Sequence, residues 1–172
     1  MPRDDVIAIH REGLDHVLEA RSMLPLPLDQ VFPFFAAATN LEALTPPWLR
    51  FSIVTPGPIE IRRGSLIDYR LRLHGVPLRW RTEIVEWEPP HLFVDRQVRG
   101  PYHTWLHEHR FLEVAGGVVV ADRVRYRIRG GRLVHRVANA TTAARDLQAV
   151  FAYRQERLQA LLLTGEPLTS LR

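Results

Sequence analysis

The stretch GPYHTWLHEHRF, residues 100–111, predicts a β-strand whose inner face is unusual. Read with a period of two, one side of this strand carries two aromatic residues and two histidines, namely Trp105, His107, His109 and Phe111. The side with the aromatic residues is expected to be buried, yet it holds two titratable rings. Because buried polar groups need partners, the histidines are either hydrogen-bonded core residues or part of a cavity wall that meets something polar.

Strand patterns continue on both sides of this stretch. Turns rich in Gly and Pro separate six of them: FSIVT (51–55), GSLIDYRLRLHG (64–75), LRWRTEIVEWE (78–88), HLFVDRQVR (91–99), YHTWLHEHRFLEV (102–114) and VVVADRVRYRIR (118–129). The connections are short, so successive strands are predicted to be antiparallel neighbours. Val85 and Trp87 break the alternation of the third pattern, which indicates a β-bulge there.

Two short helices are predicted to follow a first strand at residues 14–24. One helix begins at about Asp29 and must hold Pro33 in its first turn or bend around it. The next opens with a Thr-x-x-Glu capping box from Thr39 to Glu42. The predicted order is one strand, two short helices and then almost only strands. The fold class is inferred from this order.

One long amphipathic helix is predicted near the C-terminus, from about Asn139 or Thr141 to Leu163. Its apolar stripe consists of Leu147, Val150, Phe151, Leu158 and Leu161. The predicted fold class is therefore α+β, with a curved antiparallel sheet wrapped around the C-terminal helix. A single domain is expected over 1–172, with its core at about 14–163. A curved sheet around one helix often leaves a cavity for a ligand.

Alternation assigns an inner face to most strands, and Asp122 lies among apolar neighbours on such a face. Residues 91–99 are ambiguous, since either of two sets of side chains could point inward. The sets are Phe93, Asp95 and Gln97, or Leu92, Val94, Arg96 and Val98, and hydrophobicity alone favours the second. With the first set, the concave face would hold a polar cluster in an apolar cup: Tyr69, Asp95, Gln97, His107, His109, Asp122 and Tyr126. Carboxylates beside imidazoles, away from water, shift each other's pKa values, which is typical of a functional site.

Composition excludes several kinds of chemistry. The chain has 172 residues, 46% hydrophobic and 24% charged, as in an ordinary globular domain. It has no Cys, which excludes disulfides, a thiolate nucleophile and a thiolate zinc site. All 23 of its basic residues are Arg, so a Schiff-base lysine and a phosphate-loop lysine are also excluded.

The distribution of charge and hydrophobicity bears on partners and location. The net charge of +4 raises a nucleic-acid hypothesis, but four arginines alternate along one strand as a solvated face would: Arg123, Arg125, Arg127 and Arg129. No nucleic-acid motif is present, so no nucleic-acid partner is expected. The N-terminus lacks the apolar core of a secretory signal, and the longest apolar run, 114–121, is far shorter than the roughly 20 residues of a membrane span. We therefore expect no integral membrane segment and a cytoplasmic location, and the oligomeric state stays open.

The order of these elements is also similar to that of a known group of proteins. Together with TNLEALTPPWL (39–49), FVDRQVRGPYHTWLHEHRF (93–111) and DRVRYRI (122–128), it resembles the START-like (SRPBCC) superfamily with the helix-grip fold, in its cyclase/dehydrase-like ligand-binding branch. The resemblance covers most of 14–163 and implies that the first set of side chains on 91–99 points inward. It extends to these matching positions: Asp95, Gln97, Gly100, Pro101, Tyr102, Trp105, His107, His109 and Asp122.

Three functional hypotheses follow. In the first, the protein binds a small hydrophobic or amphipathic molecule, such as a lipid, an isoprenoid or a polyketide-like compound, in an internal cavity. The residues expected to bind it are Tyr69, Trp80, Asp95, Gln97, Trp105, His107, His109, Phe111, Asp122 and Tyr126. In the alternative, a cyclase/dehydratase-like enzyme uses His107, His109 and Asp122 for acid–base chemistry in the same cavity.

The third hypothesis is a metal site. Two histidines separated by one residue lie about 6 to 7 Å apart along a strand, and Asp122 or Asp95 could supply a third ligand. Hydrogen-bonded histidines explain the same pattern without an ion. We therefore expect neither a metal nor another cofactor.

Overall fold

The structure is a computed structural model that describes residues 6–130 and 142–163. Within these residues, eight strands form one antiparallel sheet: β1 (Val6–Glu12), β2 (Asp15–Leu24), β3 (Ser52–Ile53), β4 (Leu66–Leu73), β5 (Val76–Glu88), β6 (Leu92–Arg99), β7 (Tyr102–Val114) and β8 (Gly117–Ile128). The helices are α1 (Leu28–Ala36), α2 (Asn40–Ala43) and α3 (Ala144–Leu163), with a short 3-10 helix at Pro47–Leu49. The predicted α+β helix-grip fold is confirmed.

The order of strands across the sheet is β1-β2-β8-β7-β6-β5-β4-β3. Neighbours in the sheet are neighbours in the chain everywhere except at β2 and β8, where the N-terminal hairpin joins the last strand. This pairing places the N-terminal hairpin beside the last strand, and α3 packs near β1 and β2. The predicted bulge in β5 is present, because the register with β6 shifts between Ile84 and Glu86.

A strand that the sequence analysis did not predict, β1, precedes β2. Gly13 has a φ of 61°, which suits a glycine in the turn of this hairpin. Ile7 and Ile9 are half-buried and pack against the core near Phe151. Their alternation is the sequence signal of β1, and the charged residues around it obscured that signal.

The arginines on the outer face of β8 are paired with carboxylates of this hairpin. Arg123 contacts Glu12 at 2.7 Å, and Arg127 contacts Asp15 at 2.6 Å. Arg125 lies 3.8 Å from the same Asp15. The arginine stripe is therefore partly neutralised by acidic residues from the adjacent strands.

The short helices follow the prediction except in two details. Pro33 lies inside α1, beyond its first turn. The predicted capping box does not form, because Thr39 makes no side-chain cap bond to α2. The carboxylate of Glu42 instead accepts the backbone N–H of Ile53 at 2.8 Å, which ties α2 to the edge strand β3.

The stripe on α3 is buried as predicted at Leu147, Phe151, Leu158 and Leu161, and Val150 is half-buried. The predicted start of this helix, at Asn139 or Thr141, lies outside the described residues. Three apolar clusters meet around the concave face: one around the phenylalanines of α1 and β7, one around α3, and one around β4. None of the described helices is long and apolar enough to cross a membrane.

Candidate functional site

A cavity of about 240 Å³ lies where the three clusters meet. Strands β4 to β7 form one wall, α3 forms another, and the segment from α1 to the 3-10 helix forms the side. Most of its lining is apolar or aromatic, including Phe35, Leu71, Val150 and Phe151. The side chains of the sheet and of α3 leave the space between them partly unfilled here.

Two histidines and an aspartate lie next to one another in this wall. In the register of the sheet, His107 lies opposite Asp95 on β6. His109 lies opposite Asp122 on β8. Period-two alternation puts all four side chains on the concave face, so two carboxylates from the outer strands flank the two rings of the central strand.

Each ring of this cluster contacts both carboxylates. Nε2 of His107 lies 3.0 Å from Oδ1 of Asp122, and its Nδ1 lies 3.6 Å from Oδ2 of Asp95. Nε2 of His109 lies 3.3 Å from the same Asp95 oxygen. Nδ1 of His109 approaches Oδ1 of Asp122 at 2.7 Å, although this contact is poorly aligned for a hydrogen bond. We call these four residues the His/Asp box.

His107, His109 and Asp122 are buried and Asp95 is half-buried, and the pKa values of the two rings shift in opposite directions. Burial, reinforced by the neighbouring charge of His109, lowers the pKa of His107. Burial acts in the same direction on His109, but its contacts with Asp122 and Asp95 outweigh burial and raise its pKa. Burial opposes ionisation of Asp122 as well, yet the charge of Arg154 and the two rings hold its pKa well below the usual value. His107 thus favours the neutral form, while His109 holds its proton to higher pH.

Aromatic rings hold the box in place. His109 stacks on Phe93 with ring centroids 4.2 Å apart, and the two imidazoles are 3.8 Å apart. Trp105 meets the edge of His107 at 6.4 Å. Such packing restricts the rings to one orientation, so the contacts with the carboxylates are fixed by the fold.

Three members of the box could also hold a divalent cation. One ligand atom from each of Asp95, His107 and His109 lies within 4.8 Å of the others. Imidazole and carboxylate are ligands that zinc and iron accept. The same nitrogen atoms already lie against carboxylate oxygens. Protons between imidazole and carboxylate therefore explain the arrangement without a metal ion.

The structure brings six of the ten predicted binding residues to the cavity wall: Tyr69, Trp80, Asp95, Trp105, His107 and His109. Asp122 lies behind the histidines. Phe111 is 1% exposed and packs between Phe32, Phe35 and Phe93 in the core. Tyr126 is fully buried beside Tyr102.

Gln97, the fourth residue away from the wall, holds the turn between β6 and β7. Its side-chain amide donates to the carbonyl of Tyr102 at 2.8 Å, and its oxygen accepts the Tyr102 N–H at 3.2 Å. The structure places Phe93 and Asp95 on the cavity side of β6.

Arg154 lines the cavity from α3 and is not among the site residues predicted from the sequence. It follows Val150 and Phe151 by four and three residues, so it lies on the same face of the helix. This spacing was the available signal. A charged residue next to an apolar stripe is, however, usually assigned to the solvent-exposed face of the helix. Tyr102 and Thr82 also line the cavity, and burial raises the pKa of the Tyr102 phenol.

Comparison with known proteins agrees with this architecture. The family described as polyketide cyclase / dehydrase and lipid transport matches residues 15–162, and the chain belongs to this family. The resemblance to the START-like superfamily inferred from sequence is thereby confirmed. No curated protein sequence matches the chain.

Solved structures with the same fold come from distant organisms. A protein of Mycobacterium smegmatis is 15% identical, with a TM-score of 0.66, over 94% of this chain and 100% of that one. The ginseng major latex-like protein 151 from Panax ginseng is 12% identical, with a TM-score of 0.64, over 88% and 99%. The ZhuI aromatase/cyclase from Streptomyces sp. R1128 is 14% identical, with a TM-score of 0.62, over 88% and 98%. At these identities the likeness shows the fold alone.

Proposed function

We propose that this protein binds a small hydrophobic or amphipathic molecule in the cavity between the sheet and α3. The observation that carries this proposal is the cavity itself, with its apolar wall and a His/Asp box at one place on it. Ligand sites commonly combine an apolar lining with a few polar groups that orient the ligand. The family to which the chain belongs supports such a role, since its description includes lipid transport.

The size of the cavity limits the ligand. A dry cavity of about 150 Å³ accepts benzene. The cavity here, at about 240 Å³, is larger by more than half. It suits a molecule of the size of a two-ring aromatic or a short isoprenoid better than a lipid with two acyl chains.

Native mass spectrometry of the purified protein tests this proposal. We expect an adduct of organic mass that solvent extraction releases and that can be identified in the extract. The protein stripped in this way should bind small naphthalene derivatives in solution. A protein that purifies without any organic adduct and binds none of these compounds would contradict the proposal.

A second candidate function is acid–base catalysis of the cyclase/dehydratase type. The specific observation in its favour is the pair of adjacent rings, each held by two carboxylates, on a cavity wall. His107 would take a proton from a carbon next to a carbonyl, and His109 would give its proton to the leaving hydroxyl, so that one water is released. Opposite pKa shifts of two neighbouring groups suit this division of roles.

Substitution of the two rings separates the candidates. A β-hydroxy ketone with an aromatic body would be incubated with the protein, and loss of one water, formed from its α-proton and β-hydroxyl, would be followed by mass spectrometry. In an enzyme, His107→Gln and His109→Gln should abolish this loss, whereas in a carrier they should only weaken binding. Absence of any water loss with the wild-type protein across a series of chain lengths would count against the catalytic candidate.

A further inference from the structure

Arg154 places a positive charge on the cavity wall, and no carboxylate of the described part of the chain forms an ion pair with it. Its Nε is buried and has no hydrogen-bond partner among residues 6–130 and 142–163. Its guanidinium lies over two aromatic rings, those of Phe35 and Phe151. An unmade hydrogen bond at a buried charged donor is costly, because folding removes water from it without replacing the water.

The two rings fix the position of the guanidinium. Its central carbon lies 5.6 Å from the centroid of Phe35 and 5.9 Å from that of Phe151. Both rings also line the cavity. Cation–π contacts of this kind hold an arginine side chain, but they offer no acceptor for its N–H groups.

The charge of Arg154 acts on the His/Asp box without an ion pair. It lowers the pKa of Asp122 and also opposes protonation of His109. The Oδ1 atom of Asp122 is already in contact with both imidazoles. The Nε–H of Arg154, which has no acceptor within residues 6–130 and 142–163, is therefore available to an acceptor from inside the cavity.

We propose that the ligand of this cavity carries a carboxylate that binds to Arg154, with its apolar body lying along strands β4 to β7. Guanidinium and carboxylate match as planar forks with parallel hydrogen bonds. A single negative charge suits the site better than a phosphate dianion, because the carboxylates of Asp95 and Asp122 are close by. This inference rests on the proposed function and names the class of ligand, a small hydrophobic acid.

Isothermal titration calorimetry with matched probes tests the inference on the full chain. The probes are 2-naphthoate, 2-naphthamide and 2-naphthylmethanol, which share an apolar body and differ in the head group. We expect the wild-type protein to bind 2-naphthoate at least tenfold more tightly than either neutral probe. In Arg154→Gln this preference should fall to twofold or less, and in Arg154→Lys it should be intermediate, since a lysine keeps the charge but loses the fork.

Arg145→Gln serves as the control, because Arg145 is an exposed arginine of the same helix and does not line the cavity. It should keep the full preference for the acid. Equal binding of all three probes by the wild-type protein, or a preference that survives in Arg154→Gln, would overturn the inference and leave the proposed function standing. Binding of none of the probes would count against both. If Arg154→Gln does not fold, as judged by circular dichroism, the wild-type ratio of acid to amide decides.

Discussion

His107 and Asp122 form a 3.0 Å hydrogen bond although they are not opposite each other in the sheet. In the register of β7 and β8, His107 pairs with Val124 and Asp122 pairs with His109. The bond is therefore diagonal, and so is the 3.3 Å contact of His109 with Asp95. Direct and diagonal contacts together make the box a single unit, in which loss of one carboxylate disturbs both rings.

Asp122→Asn is expected to destabilise the protein by about 3 kcal/mol, the order of magnitude for breaking a buried charge pair on one side. The amide cannot accept from two rings with the strength of a carboxylate. The pKa of His109 should fall as well, because Asp122 is the group that raises it most. Urea unfolding gives the first quantity, and NMR titration of the imidazole gives the second.

Asp68→Asn is the matched control for this change. Asp68 pairs with Arg81 at 2.8 Å on the exposed face of the sheet, and exposed pairs contribute about 0–1 kcal/mol. A loss for Asp122→Asn no larger than that for Asp68→Asn would show that the box adds nothing to stability.

The two histidines of the box should titrate on opposite sides of the ordinary histidine pKa of about 6.5. In NMR titrations of the wild-type protein, with signals assigned through His107→Gln and His109→Gln, we expect His109 above this value and His107 below it. Coincident titration of the two rings near 6.5 would mean that the box is open to water.

These shifts have opposite consequences for stability. A raised pKa makes His109 stabilising below about pH 6.5, and this contribution is lost as the pH rises through its folded pKa. A lowered pKa makes neutral His107 stabilising above about pH 6.5, and this contribution is lost as the pH falls through its folded pKa. His107→Gln should therefore lose less stability than the wild type between pH 7 and pH 5, as measured by urea unfolding at each pH.

Gly100→Ala is expected to destabilise the protein by about 1–2 kcal/mol through the turn that Gln97 holds. A β-carbon at this position would lie 2.3 Å from the side-chain oxygen of Gln97, which must then move and give up its bonds to Tyr102. A double-mutant cycle provides the control. In a Gln97→Ala background the same substitution should cost close to nothing, and a full cost there would point to a different cause.

Val150→Phe should block the cavity, because Val150 lines it from α3 and the larger ring would occupy ligand volume. We expect the affinity for the tightest-binding naphthalene probe to fall at least tenfold in calorimetric titrations. Val98→Phe is the control, since Val98 is 51% exposed on β6 and does not line the cavity. Equal affinity of the two variants would place the ligand elsewhere.

Much of this architecture could be predicted from the sequence, because alternation along a strand indicates which side chains share a face. Alternation in β7 and β8 put His107, His109 and Asp122 on one face, and the structure joins them in the His/Asp box. The strand β6 was harder, because Leu92 and Val94 are buried on the opposite face as well. Hydrophobicity cannot decide between two buried faces, and the resemblance to a family was needed to choose.

Other features depend on contacts that no local pattern reveals. Whether Phe111 faces the cavity or the core depends on how far the rings of α1 reach over the sheet. Glu42 bonds to a backbone group eleven residues away instead of to its own helix. Arg154 turns inward because Phe35 and Phe151 hold it there, and those rings come from two different helices. Each of these outcomes is set by the packing of elements that are distant in sequence.

The indoles of Trp80 and Trp105 meet edge to face with centroids 5.0 Å apart, and both line the cavity. Trp48 is 57% exposed, and its emission should lie at the longer wavelengths of a hydrated indole. An occupant of the cavity would perturb the first two chromophores far more than Trp48 or the fourth tryptophan, Trp87, neither of which lines the cavity. The chain thus contains its own optical reporter of occupancy, and a label-free screen of compounds by fluorescence needs no chemical modification of the protein.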